Sequence, residues 1–215
     1  MRETLDRLQN WFEVHRPEYA RCLQPGLSDV EIAEKLAEIP AFHLCDEFYE
    51  LYRWHNGNRL HEEYPNSWSL NDFIPNNRFL PLEEAVKICQ DMMIGAVESG
   101  GEMMMEPIVS GHCDWSHYYL PILEEERIDL VIVVGIDNGN LLNPVVHRYG
   151  EDANITLLHR SLSNFMNFIL ECYETGVYQF EMDLEGSFRW VRIDKVRTQL
   201  IHHKYDPDVE YSYYL

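Results

Sequence analysis

Leu130-Val131-Ile132-Val133-Val134-Gly135-Ile136 is the stretch on which the fold turns. A run this short and this rich in β-branched residues reads as a strand. Because it is apolar on both faces, it belongs inside a sheet and not at an edge. Asp137-Asn138-Gly139-Asn140 follows at once, and Asn-Gly is the strongest hairpin dipeptide. Outward from this run, residues 103–109, 118–123 and 144–149 also have strand character, with turn residues between them. The connections are too short for crossover helices, so the sheet is predicted to be antiparallel here.

Helical periodicity lies on both sides. Leu5, Leu8 and Phe12 predict a short amphipathic helix that Arg16-Pro17 should end. Leu27-Ser28-Asp29-Val30-Glu31-Ile32 carries a capping box, with Ser28 at the N-cap and Glu31 three residues on. Ile32 and Leu36 share its face, and Pro40 breaks the pattern. Leu44, Phe48, Leu51, Tyr52 and His55 mark the next helix, with Asn56-Gly57 placed to supply positive φ at its C-terminus. Residues 58–80 are polar and irregular but include Leu60, Trp68, Leu70, Phe73 and Phe79, which predicts a loop folded onto the body. Pro81 opens a helix with Glu83 and Glu84 in its first turn and a stripe of Leu82, Ala85, Val86, Cys89, Met93 and Ala96. Leu162, Phe165, Met166, Ile169, Leu170 and Tyr173 mark a further helix, stopped by Gly176 and expected across the sheet. Residues 177–215 read as an extension, locally basic from Phe188 to Arg197 and rich in tyrosine at the end.

The chain has 215 residues, with Lys+Arg 17 against Asp+Glu 37 and a formal net charge of -20. That length supports one core. That charge repels phosphate backbones and anionic lipid, so neither nucleic acid nor membrane is the expected partner. It would speed the encounter with a basic protein. Five cysteines, Cys22, Cys45, Cys89, Cys113 and Cys172, with no C-x-x-C spacing, fit a reducing cytoplasm better than a disulfide framework. The N-terminus has no apolar h-region, and no apolar run approaches a membrane span.

The order helix, helix, aromatic-Asn-Gly, loop, helix, antiparallel strands, helix resembles the SUKH superfamily, the domain also found in fungal cell-wall-assembly regulators. The matching residues are Gly26-Leu27-Ser28, Glu31-Ile32, Pro40, Leu51-Tyr52 and Trp54-His55-Asn56-Gly57, then Phe79-Leu80-Pro81-Leu82-Glu83-Glu84-Ala85. Leu120-Pro121-Ile122, Val134-Gly135-Ile136-Asp137 and Ser161-Leu162-Ser163-Asn164-Phe165 complete the set. The likeness covers residues 1–178, and residues 179–215 depart from it. It implies a single α+β domain that binds other proteins and is not an enzyme. Bacterial members of that superfamily look like immunity proteins that plug toxins; fungal ones look like signalling scaffolds.

Catalytic readings are weak beside this. His112-Cys113-Asp114 with His117 gathers metal-ligand types, but the spacing suits zinc poorly and no second cluster accompanies it. Cys45 near His43, and Cys113 beside His112, lie among acids that would raise a thiol pKa. Glu124-Glu125-Glu126 and Glu62-Glu63 sit in apparent loops and read as solvated acid. Val134–Gly139 has no phosphate-loop pattern. The expectation is therefore an α+β fold, helices packed on an antiparallel sheet, with the domain at 1–178 and a docked extension at 179–215. No catalytic residue, metal or cofactor is expected. The expected activity is neutralisation of a basic toxin domain by occlusion, with Trp54, Asp137, Glu124, Glu125 and Glu126 as contacts. A regulatory scaffold is the alternative, and a metal-dependent hydrolase using the His112–His117 cluster comes after it.

Overall fold

The structure is a computed structural model, and it describes residues 1–39, 44–60, 68–98, 119–125, 129–134, 143–148, 155–182 and 188–210. The expected α+β architecture is present. Six antiparallel strands form one sheet in the order β3-β4-β5-β6-β7-β8, and helices pack on it. The strands are β3 (Asp72–Ile74), β4 (Asn77–Phe79), β5 (Tyr119–Glu125), β6 (Asp129–Val134), β7 (Val145–Arg148) and β8 (Ile155–His159). Leu130–Val134 of the aliphatic run lie in β6, paired on both sides, with Leu120 opposite Val133 and Val131 opposite His147. Val131 and Val133 are fully buried. The strand expected at 103–109 lies outside the described residues.

The helices are α1 (Arg2–His15), α2 (Pro17–Cys22), α3 (Asp29–Leu36), α4 (Asp46–Trp54), α5 (Trp68–Asn71), α6 (Leu82–Glu98), α7 (Leu162–Glu174) and α8 (Lys195–Tyr205). Leu5, Leu8 and Phe12 of α1 are buried, and α1 contacts α7. The α3 capping box forms as read: Glu31 N donates to Ser28 Oγ (3.3 Å) and Ser28 N to Glu31 Oε2 (2.8 Å). The apolar face of α7 is buried from Leu162 to Tyr173, and α7 contacts β8. It ends in a Schellman pattern, with Gly176 N donating to Tyr173 O and Val177 N to Cys172 O.

Arg16-Pro17 ends α1 at His15, as expected, and Pro17 then occupies the first turn of α2, where its missing N–H costs nothing. Three expectations are corrected. Residues 72–79 are not loop but the β3–β4 hairpin, turned through Asn76 at φ +64. Strand β8 completes the sheet beyond β7, where no strand was expected. Asn56-Gly57 does not cap α4. The helix passes directly into β2 (His55–Asn58), which pairs with β1 (Leu23–Pro25). Leu27 N reaches back to satisfy Tyr52 O at 2.9 Å, and Gly26 lets the chain come that near, since a Cβ there would lie 1.8 Å from Arg53 O.

Gly57 has a different task. It adopts φ +67, and a Cβ would sit 2.3 Å from Pro81 N and 2.4 Å from Leu80 C. The strand is pressed against the start of α6 because its neighbours hold that start in place. Asn56 Oδ1 accepts from Leu82 N (2.8 Å), and Asn58 Oδ1 accepts from Phe79 N (3.1 Å). Asn56 thus supplies from a distance the cap that Pro81, before α6, has no side chain to give.

After α7 the chain makes an antiparallel hairpin, β9 (Tyr178–Met182) with β10 (Phe188–Ile193), and then α8 against α7. Thr198, Ile201, His202, Asp206 and Val209 are buried, so the extension adds to the interior. No helix among the described residues is long and apolar enough to cross a membrane.

Candidate interaction surface

Trp54 is the last residue of α4, where the helix gives way to β2. One side of its ring faces the core, stacked on Phe79 at 6.5 Å and edge-on to Phe73 at 6.4 Å. The side chain is only partly buried, and its indole N–H is shielded from solvent without an acceptor. An orphaned buried donor costs about 1–3 kcal/mol. Trp54 also lines a hollow of about 60 Å³ with Arg2, Leu5, Asp6, Glu50 and Arg53. Glu50 Oε2 is likewise buried without a hydrogen bond, with a 3.8 Å ion pair to the Met1 ammonium as its nearest cation. Trp54 and the charged residues Arg2, Asp6, Glu50 and Arg53 therefore line one mixed-charge hollow.

The other expected contacts are placed differently. Glu124 and Glu125 lie in β5, not in a loop, opposite Leu130 and Asp129 of β6. Glu124 is buried, and its Oε1 takes Arg78 Nε at 3.0 Å and Nη2 at 2.6 Å. Arg78 also donates to Glu84 at the start of α6, so this carboxylate clamps β4, β5 and α6. Glu125 is partly buried at the end of the strand. Glu126 and Asp137 lie outside the described residues, as do Glu62 and Glu63. Neither Glu124 nor Glu125 lines the Trp54 hollow.

Carboxylates do gather elsewhere. Asp29, Glu31, Glu34 and Glu38, in and just after α3, are exposed, as are Glu83 and Glu84 at the start of α6, and α3 contacts α6. Lys35 pairs with Glu83 at 3.2 Å, and Arg53 with Asp29 at 2.5 Å. Asn56, the Glu83 backbone amide itself and Lys35 hold the Glu83 carboxyl below its ordinary range despite partial burial, so it stays anionic.

A buried polar cluster that sequence reasoning missed joins the extension to the sheet. His159 of β8 is fully buried, and its Nδ1 donates to Asp206 Oδ2 at 2.6 Å. Asp206 Oδ1 accepts from Arg160 N and from Asn164 Nδ2, both at 3.1 Å. Asn164 Nδ2 also reaches Tyr205 O (3.0 Å), and His202 Nε2 meets Leu158 O (2.7 Å). Burial pushes His159 down to about 4, against the pull of Asp206; the same hydrogen bonds hold Asp206 low despite its own burial. The pair is therefore neutral imidazole beside carboxylate at neutral pH. Phe165, Phe168 and His202 surround the His159 ring at 5.4, 5.0 and 4.7 Å. A general base must reach a substrate proton, and this imidazole is enclosed by its own fold. The partners stand 47 residues apart in sequence, so no local spacing could have disclosed them.

Nucleophile chemistry finds similar surroundings. Burial pushes the Cys89 thiol up to about 11 and the Cys172 thiol well up, which favours the inert form. Cys45 is the N-cap residue of α4, and its backbone N donates to Asn143 Oδ1. Among the described residues no group of three or more His, Cys, Asp or Glu is placed to hold a metal. The cluster at 112–117 and His43 lie outside the described residues. No protein-family model matches this chain, and no curated protein matches it significantly.

Proposed function

We propose that this protein is a non-enzymatic binding module, most concretely an immunity protein that neutralises a toxin by covering it in the cytoplasm. The observation that carries the reading is Trp54, half-seated in the core, with a shielded N–H that lacks an acceptor beside a charged hollow. Aromatic anchors of this kind concentrate binding energy when a partner removes the remaining water. A formal charge of -20 supports a basic partner, which the exposed acids of α3 and α6 would draw in from solution. The mechanism is occlusion: charge steers, and the Trp54 hollow receives a side chain or peptide carbonyl. The likeness to the SUKH superfamily lends support through Trp54-His55-Asn56-Gly57 and the order of elements around it.

The experiment is co-expression with the product of the neighbouring gene. The expected result is a complex and protection from toxicity, both weakened by Trp54→Ala and by salt. Neither complex nor protection would end the immunity reading. A complex with several unrelated proteins, without protection, would move the reading to a regulatory scaffold.

A further inference from the structure

His55 belongs to a chain of polar contacts that the fold leaves one proton short. Its Nδ1 stands 2.7 Å from Gln24 O and its Nε2 2.9 Å from Gln9 Oε1, and Gln9 Nε2 donates to Glu13 Oε1 at 2.7 Å. A backbone carbonyl closes one end and a carboxylate the other, and both only accept. Three contacts therefore need three N–H groups. A neutral imidazole supplies one. A carboxamide turns its NH2 to one neighbour and its oxygen to the other, so it supplies one more. The count falls short whichever way the Gln9 amide is turned. The arrangement in the structure is complete when the ring carries both protons, because Nε2–H then donates to Gln9 Oε1. With a neutral ring, the Gln24 carbonyl fixes the proton on Nδ1, and Nε2 and Gln9 Oε1 face each other as two acceptors.

We propose that His55, Gln9 and Glu13 form a proton-operated switch at the hollow between α1 and α2. That hollow, of about 280 Å³, is lined by Gln9, Glu13, Pro17, Ala20 and Arg21. When the ring is neutral, the Gln9 amide turns over, donates to Nε2 and releases Glu13. The outer contact is the one given up, because Glu13 is exposed and water replaces its donor, whereas the contacts of the ring are partly buried. When the ring takes a proton, Gln9 turns back and tethers Glu13 again. The hollow thus has a free carboxylate at its edge in one state and a held one in the other. Burial makes the ring harder to protonate than a free histidine, against the Gln24 carbonyl and Glu13, so the exchange lies below 6.5. Of the charges on the surrounding elements, Glu13 is the one that bears on the ring. Helix α4 brings Arg53, paired with Asp29, and Glu50, near the Met1 ammonium. Strand β4 brings Arg78, paired with Glu84 and Glu124, and β1 brings no charge. Arg2 and Asp6 of α1 lie at the Trp54 hollow, and Arg21 of α2 is paired with Glu18.

The test is a pH titration by NMR of the full chain, with 15N in the histidine and glutamine side chains. No partner is added, so the result does not depend on the binding role proposed above. Above the His55 midpoint the ring should be the Nδ1–H tautomer, and the Gln9 side-chain NH2 resonance should shift with that same midpoint. Glu13→Gln supplies the missing donor and removes the charge. It should lower the His55 midpoint by roughly half a pH unit. Position 13 is exposed, and circular dichroism and melting check that the variant keeps its fold. A neutral ring protonated on Nε2, a Gln9 amide indifferent to the ring's midpoint, or an unchanged midpoint in folded Glu13→Gln would overturn the proposal.

Discussion

Two junctions hold this molecule together, and they use different chemistry. At the junction of α4, β2 and α6, the carboxamides of Asn56 and Asn58 satisfy the backbone N–H groups of Leu82 and Phe79. Where α8 meets β8 and α7, an imidazole and a carboxylate, His159 and Asp206, do the equivalent work in a fully buried site. Carboxamides do not titrate, so the first junction tolerates acid at its cap. The second depends on His159, with His202 beside it, staying neutral. The lesson is that similar geometry gives one cap that acid leaves intact and one that acid opens.

The largest effect should come at the first junction. Gly57→Ala adds a Cβ against the Leu80–Pro81 backbone in a left-handed conformation, where neither neighbour can give way. A loss of about 3–4 kcal/mol is expected in chemical denaturation, and a loss under 1 kcal/mol would contradict the fitted contact. Next, Asp206→Ala leaves the His159 N–H, the Arg160 amide and the Asn164 amide without their acceptor. It should cost about 3 kcal/mol, with hydrogen exchange rising first in α8 and not in α6. Uniform exchange through both helices would blur the two seams into one.

Acid gives the sharper contrast. The unfolded histidine binds its proton near 6.5, whereas native His159 does so near 4, so within that window the unfolded chain holds the extra proton. Stability therefore falls as pH drops from about 6.5 to about 4, by at most about 3 kcal/mol from this residue. Partly buried His55 and buried His202 are shifted in the same direction by burial and add to the slope. Asp206 works in a lower window: its carboxyl is held below 3.8, so its contribution is present above that value and fades only beneath it. His159→Asn keeps a donor for Asp206 and should flatten much of the slope; an unchanged slope would place the acid sensitivity elsewhere. The smallest effect is expected from Asn56→Ala. Loss of the borrowed cap should cost about 1–2 kcal/mol with little pH dependence.

The same contrast explains what could be read from sequence. Local rules exposed Ser28–Glu31, the buried stripe of α1 and the strands through Val131 and Val133, because each signal lies within a few residues of its partner. Asn56-Gly57 was visible as a pair tolerating unusual backbone, but its real neighbours are Leu80 and Pro81. Glu124 looked like loop acid because Arg78, its partner, is 46 residues away. Pro17 was read correctly as the stop of α1, but that it also opens α2 was not, because proline ends one helix and opens another with equal ease. Trp54 could be singled out as an aromatic at a helix end. That its N–H is shielded without an acceptor is visible only in three dimensions.

The central claim is that the surface does the work and the buried histidine cluster does not. It is tested by measuring affinity for the neighbouring gene's product by calorimetry at neutral pH, using Trp54→Ala and His159→Asn. Trp54→Ala should weaken binding by tenfold or more, on the order expected of an aromatic anchor, while His159→Asn binds as the parent does. Parental affinity in Trp54→Ala together with loss of binding in a folded His159→Asn would contradict it.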